Sequence, residues 1–567
     1  MTVSDDPQGF TDEELSGPRI DRRTTMKLLA AAGVTGLAGC AGGDGNGGSG
    51  GDTETGETET EETQNEETQT ESGSSTGGRL NAGWFTGSID VLDPPYISVG
   101  QYFQIAANVF NGLVTLNEDL TVRGDLATDW TVADGGTSMT FQLREGVTFH
   151  NGDDFTADDV RYTIARTISQ EAPAASKLST LRPLDEDGVV VEDDYTVTLN
   201  FEQAMAPALI YLTRGPGRAA TIVSQGAIEE MGEEAYRTEP VGTGPFMVSE
   251  HELGSSLTLE ANPDYFETDD EGTQLPYVDG VDVRPIPEAA TLVNALRSGD
   301  IDFANLIPLQ NLDRIEETDS TTASVAPGVN WYGLSMNQTR DIFSSREARL
   351  GIAKVIDNEQ FIETAYFGNA LSARGPINRA TNWVYREDKP DDQTYDPEEG
   401  QRLIEEAGIA GESFSILVAQ GDTRAAQAMR QQLNAAGFEV EIEQVTSSTY
   451  WERYETLDYD TTIAGSVGDP DPDQSLYNFY RLPDEGGVWN WTDFRDEQVH
   501  SLLDEQRRAL DRDERRDLLH QLEDRLIQQV PHAYLVHQND IAAYTDAVSN
   551  FTHIPFMRDL SRVMVDR

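Results

Sequence analysis

The chain has 567 residues, 37% of them hydrophobic and 8% aromatic, enough apolar material for two or three packed domains. A mean hydropathy of -0.49 excludes a polytopic membrane protein. Acidic residues number 101 against 40 basic ones, a formal charge of -61, so no basic stripe exists to neutralise phosphates and nucleic acid is excluded as a partner.

At the N-terminus, Arg22 and Arg23 precede a short apolar run, residues 28–37. The run is too short to cross a bilayer core, which takes about 20 residues as a helix, and reads as the hydrophobic region of a signal peptide. The paired arginines resemble a twin-arginine export signal, although Asp21 and Thr25 depart from its commonest form and leave Sec export open. Leu37-Ala38-Gly39-Cys40 resembles a lipobox, which makes Cys40 the expected lipidation site; it is the single cysteine of the chain, so no intrachain disulfide can form. The expected division is therefore a signal peptide over residues 1–40 and a tether over 41–78. The tether is almost wholly Gly, Ser, Thr, Glu, Asp, Asn and Gln. It lacks the apolar period needed to offset its ordering entropy, and its like charges keep it extended.

The acid excess is not confined to that tether, since residues 52–71 hold only nine acids. Lysine is nearly absent: Lys27, Lys177, Lys354 and Lys389 are the whole set. An acid-rich, lysine-poor composition is similar to that of haloarchaeal proteins. Molar salt shortens the Debye length to about 3 Å and screens such a surface from itself.

From Arg79 onward, strand-like and helix-like segments alternate. Thr156 reads as an N-cap with Asp158 and Asp159 in the first turn, and Val160, Ile164, Ala165 and Ile168 form one apolar face. Asp396-Pro397 opens a helix that Gly408 ends. Residues 423–436 predict a helix closed by Gly437, and Phe438, Val440 and Ile442 alternate as a strand. Asp496 caps a helix through Leu503, and Leu518, Leu522 and Leu526 mark a last long helix before Pro531. The mixture predicts α/β sheets flanked by helices, without an internal repeat.

Several short motifs then occur in order: Leu126-Ala127-Thr128-Asp129-Trp130; Phe141 to Gly152 followed by Phe155-Thr156-Ala157-Asp158-Asp159-Val160; Pro240-Val241-Gly242-Thr243-Gly244-Pro245-Phe246; Asn262-Pro263-Asp264-Tyr265-Phe266; Ser298-Gly299-Asp300-Ile301-Asp302; Met336-Asn337-Gln338 and Ile356-Asp357; Tyr395-Asp396-Pro397 and Pro470-Asp471-Pro472-Asp473. Together they resemble the extracytoplasmic solute-binding proteins of the peptide/nickel class (family 5) of ABC importers, over essentially residues 79–567. Singly the motifs read as scaffold. Gly242 and Gly244 are not followed by the Lys-Ser/Thr of a phosphate loop, and His150 reads as a hydrogen-bonded turn histidine rather than a metal ligand.

The resemblance implies a periplasmic-binding-protein-like fold (type II, cluster C): two lobes, a hinge and an extra domain. Carried over, the first lobe takes residues 79–118, 241–325 and 532–567, the extra domain 119–240, and the second lobe 326–531. It also implies a monomer on the outer face of the membrane, held by a lipid, that gives a small-molecule solute to an ABC permease and its ATPase. No enzyme activity, metal or cofactor is expected. In peptide-binding relatives a carboxylate four residues before the proline of the 466–472 loop holds the peptide's amino group. Counted from Pro472 that position is Gly468, and from Pro470 it is Ser466; neither is acidic, and Asp469 stands one step away. Ser466, Gly468 and Asp469 are accordingly candidates for solute contact. So are Trp331, Trp383, Trp489 and Trp491, whose faces could grip apolar or sugar surfaces, and Arg374, which could meet a carboxylate.

Three other readings stand beside this one. A secreted hydrolase has no Gly-x-Ser-x-Gly or His-Glu-x-x-His motif to support it. A solute sensor on the same fold is indistinguishable by sequence. A calcium loop would use Asp469, Asp471 and Asp473, but Gln474 stands at its turn glycine and Tyr480 at its bidentate glutamate.

Overall fold

The computed structural model describes residues 77–566 apart from 98, 134, 171, 216, 217, 421, 422 and 467. Arg22, Arg23, Cys40 and the tether as far as residue 76 lie outside the described residues. Among the described residues the first regular element is the strand Arg79–Trp84. The strand Arg79–Trp84 is bound in parallel on both sides, by Gly280–Pro285 and by Phe303–Asn305.

A twelve-stranded mixed sheet runs through the molecule. One half carries, from its edge inward, Phe246–Glu252, Ser256–Ala261, Gly280–Pro285, Arg79–Trp84 and Phe303–Asn305. The other half carries Glu439–Val445, Ser413–Ala419, Thr461–Ser466 and Trp331–Met336. Between them lies the long strand His532–Thr545, which belongs to both. Its residues 532–536 pair with Trp331–Met336, and its residues 539–545 pair with Thr321–Pro327. Residues 532–538, which the expected division places with the first lobe, pair with strands that it places with the second.

Each half has its own apolar core. The first packs Leu80, Trp84, Phe103, Phe110, Phe246 and Val281. The second packs Leu334, Phe343, Phe361, Ile416, Met429 and Leu535. A helical layer on the second half adds Trp331, Phe479, Leu503 and Leu522. The extra domain is a four-stranded antiparallel sheet in the order Ala127–Val132, Ser138–Leu143, Thr196–Asn200, Val189–Asp193. Its core of Phe141, Phe155, Val160 and Val197 reaches back to Leu113, a few residues before the expected boundary.

The local signals act where the sequence puts them. Thr156 and Asp159 form a capping box on the helix Ala157–Ser169, and its Val160, Ile164 and Ala165 are buried. The Asp396 side chain caps the helix Pro397–Glu406, and Gly408 takes φ +72 beyond its end. The helix capped by Asp496 runs on to Arg508, five residues past its expected end. Gln506 and Arg507 hold that last turn by hydrogen-bonding Asp473.

The extra domain meets the two lobes differently. Toward the first lobe the junction is apolar: Tyr162, Val223, Ile228 and Tyr236 of the extra domain belong to the first lobe's own core. A buried bidentate pair, Arg166 to Asp93 at 2.8 and 2.7 Å, adds to it. Toward the second lobe the junction carries a set of polar contacts, beside the Leu510 side chain that lies against Gly136. Lys177 meets Asp469, Tyr211 donates to Asp473, the Ala206 amide donates to the Arg507 carbonyl at 2.7 Å, and Arg508 reaches Gln203 at 3.3 Å.

The chain passes between lobes at residues 328–330 and again near Gln538. There Asn330 replaces a broken ladder with its side chain: its Oδ1 accepts from the Gln538 amide at 2.7 Å, and its Nδ2 donates to the Gln538 carbonyl at 3.0 Å.

His150 sits between the Pro240–Phe246 motif and the extra domain. Its Nδ1 accepts from the Gly242 amide at 3.2 Å, so Nε2 carries the proton and donates to the Gly244 carbonyl at 3.0 Å. Burial pushes this imidazole down to about 4, and burial likewise takes His532 and His537 to about 3. Unfolded imidazoles titrate near 6.5, so the unfolded chain takes up protons first and stability falls as pH drops below about 6.5, down to about 4 for His150. The urea midpoint is expected to be lower at about pH 5 than at about pH 7 in the same salt, with His150→Gln reducing the difference. An equal midpoint at both values contradicts this account.

Candidate functional site

The strand Thr461–Ser466 lies antiparallel to Trp331–Met336, with Ser466 opposite Trp331. This register brings the strand's end against the hinge. A Cβ at Gly465 would stand 1.9 Å from the Trp331 carbonyl oxygen, and one at Gly468 would stand 1.3 Å from that of Val329. Gly468 also takes φ +78, a conformation only glycine adopts without strain. The loop that leaves the sheet here thus rests directly on the backbone joining the lobes. Ser466 Oγ accepts from the Gly468 amide at 3.0 Å and closes the turn. Asp471 and Pro472 then start the helix Pro472–Tyr480, with Asp471 as N-cap accepting from the Asp473 amide and Pro472 in the first turn, where its missing N–H is harmless.

Three aspartates on this loop are buried, and each takes a different cation. Asp471 holds Arg515 in a bidentate pair, both distances 2.6 Å. Asp473 accepts from Arg507 at 2.7 and 2.8 Å and from Gln506 and Tyr211. Burial alone would raise its carboxyl, but Arg507 outweighs it and keeps it below the ordinary value. Asp469 Oδ2 accepts from Lys177 Nζ of the extra domain at 2.8 Å. The alternation that resembles a calcium loop is thus occupied by protein cations, and among the described residues no group of three His, Cys, Asp or Glu converges as a metal site.

The Lys177–Asp469 pair is the least satisfied of the three. Asp469 is 2% exposed and Lys177 5%. Burial raises the Asp469 carboxyl against the pull of Lys177 and Arg218, and burial pulls the Lys177 ammonium down to about 8 against Asp469. Both groups are driven toward their neutral forms, which is the mark of a pair whose desolvation is incompletely offset. Asp469 Oδ1 is buried without a hydrogen-bond partner among the described residues. Arg218 lies beside the pair and acts on both members electrostatically. Its guanidinium carbon sits 4.2 Å from the centre of the Phe103 ring, and its Nε is likewise buried without a partner.

The remaining expected contacts fall elsewhere. Trp331 is fully buried against Phe479, Tyr480, His532 and Tyr534 and presents no face to a solute. Trp491 packs with Trp451 and Tyr454, and Trp489 packs with Phe479. Trp383 lies under Arg512 and Arg515. Arg374 lies exposed, and one Nη of its guanidinium donates to the Lys389 carbonyl at 2.9 Å and approaches Asp391. These contacts correct the expectation for Trp331 in particular: it is opposite Ser466 in register, but its ring points into the helical core. The structure adds Lys177, Arg218 and Tyr211, which sequence reasoning missed. Lys177 carries a faint signal, as one of four lysines in a chain that otherwise uses arginine.

Removing one partner of a buried pair leaves the other uncompensated. Lys177→Met is expected to destabilise the protein by about 3–5 kcal/mol, and adding Asp469→Leu is expected to restore most of that loss. Chemical denaturation of the two single variants and the double variant measures the coupling; additive losses contradict it.

The family model for the middle part of the bacterial extracellular solute-binding proteins, family 5, matches residues 121–487, more than half of the chain. The dipeptide-binding protein of Pseudomonas aeruginosa PAO1 is 25% identical over 499 residues, which span 83% of this chain and 92% of its own. Among solved structures, DppA of Helicobacter pylori in complex with the peptide STSA has a TM-score of 0.74 at 22% identity, covering 87% of this chain and 99% of its own. AgaA of A. tumefaciens R10, in complex with agropinic acid, has a TM-score of 0.71 at 24% identity, covering 86% and 99%. With the two-lobed fold and the family motifs both present, the chain belongs to the family 5 bacterial extracellular solute-binding proteins.

Proposed function

We propose that this chain is the substrate-binding component of an ABC importer: it captures a small solute, a peptide or an oligosaccharide, between its lobes and delivers it to a membrane permease and its ATPase. The observation that carries this reading is the unequal seating of the extra domain. It shares an apolar core with the first lobe and meets the second through separable polar contacts at the Asp469 loop. That loop also rests on the hinge, so a solute held there acts on the element that sets the angle between lobes. The solute stabilises the closed form by its differential affinity for it, without covalent chemistry. Members of the family are solute-binding proteins rather than enzymes. The relatives bind a dipeptide, the peptide STSA and agropinic acid, so the fold accommodates peptides and a further organic acid.

Export and anchoring complete the proposal. The signal peptide carrying Arg22 and Arg23 exports the chain, by the twin-arginine or the Sec route, and a lipid on the thiol of Cys40, the first residue after cleavage, holds a monomer at the outer face. The acidic tether spaces the body from the membrane. Among the described residues no helix is long and apolar enough to cross a membrane. The acid-rich, lysine-poor surface suits a halophile, where salt screens it.

Melting curves of the protein in molar salt, with dipeptides, tripeptides and short oligosaccharides, test this. A solute at about 100 times its Kd adds about 2.7 kcal/mol and raises Tm without being consumed. Turnover of the solute, or no shift with any of them, contradicts the proposal.

A further inference from the structure

The charges in the proposed solute site do not balance. Asp471 is matched by Arg515 and Asp473 by Arg507, which leaves Asp469 facing two cations, Lys177 and Arg218. The site therefore carries one excess positive charge, inside a chain whose formal charge is -61. The orphan atoms point the same way. Lys177 already supplies Asp469 with an ammonium at 2.8 Å, so this carboxylate is not waiting for a second one. Arg218 Nε, by contrast, is a buried donor with no acceptor among the described residues. Its position is built. Arg218 takes φ +69, in the left-handed region, after the turn residue Gly215 at φ +74, and Phe103 of the first lobe backs its guanidinium. A buried donor left unpaired is costly, and the group that satisfies a guanidinium best is a carboxylate.

Resting on the solute-binding reading above, we infer that this site selects solutes carrying a carboxylate, which Arg218 receives, and that Lys177 stands in place of a solute ammonium at Asp469. The solute is an acid whose buried end lacks a free amine, such as an N-acylated peptide or an acidic sugar. A free α-ammonium placed at this end would meet two cations and one already paired acid. The remaining orphan, Asp469 Oδ1, is free to accept from an uncharged N–H or O–H of the same solute.

The test titrates the full chain in molar salt with three matched tripeptide pools: acetylated at the amine with a free carboxylate, free at the amine with the carboxylate amidated, and capped at both ends. Galacturonate oligomers and their neutral galactose counterparts form a parallel pair. Binding is expected only for carboxylate-bearing members, with amidation weakening the Kd of a hit at least tenfold. Arg218→Gln produces a similar loss for that hit. Lys177→Met, which releases Asp469, admits the free-amine pool. The comparison of capped and uncapped solutes on the unaltered protein stands even where a variant folds poorly. Equal binding of amidated and acid solutes overturns the inference and leaves the importer reading intact. So does a preference of the unaltered protein for the free-amine pool. Binding of no pool and no oligomer sinks both.

Discussion

A lysine and an aspartate buried together between two domains are the constraint on which the site depends. Lys177 comes from the extra domain and Asp469 from the second lobe, and their side chains are 2.8 Å apart with almost no exposure. Taking both charges out of water costs several kcal/mol each, and one hydrogen bond does not restore it. Such a contact can be made and broken by small changes in what surrounds it. It lies, moreover, on a loop that cannot move without moving the hinge, because Gly465 and Gly468 leave no room between it and residues 329–331.

The rest of the molecule fixes what this pair leaves free. Apolar packing joins the extra domain to the first lobe, where Tyr162 and Tyr236 enter the core and Arg166 is bound to Asp93 from both sides. On the C-terminal segment, Arg558 pairs with Asp540 and hydrogen-bonds Asn305, and Arg214 reaches Asp559 at 3.0 Å. These are arginine pairs with several donors each, suited to permanent contacts. The interdomain pair at Asp469 uses a lysine, a point charge on a flexible stem, which holds no fixed geometry once its partner leaves.

Much of the fold was legible in the sequence, because it is written in local signals: the Thr156 capping box, the Asp396-Pro397 start, Gly437 after a helix, the ordered motifs. The motif glycines and His150 hold one another: the imidazole bonds the Gly242 amide and the Gly244 carbonyl. The site was less legible. Asp469 could be reached by counting along the loop, but its neighbours Lys177 and Arg218 lie more than 250 residues away in sequence, as Tyr211 does from Asp473, and are brought together only by tertiary packing. Tryptophan identity does not say which side of a strand or helix faces a cleft, and Trp331 shows the consequence: its backbone borders the loop and its ring fills the core. A lobe boundary at 532 is hard to read from sequence for a related reason. A strand shared by two sheet halves has no composition change where its partners change.

The reversible clamshell is tested most directly by measuring the distance between the extra domain and the second lobe with and without a bound solute. The chain's single cysteine is Cys40, so with that residue replaced, spin labels at Glu186 and Asp484, both exposed, report this distance alone. The account predicts a long, broad distribution for the free protein that collapses to one short distance on binding, as the Lys177–Asp469 contact closes. A single distance unchanged by a solute that demonstrably binds would contradict it.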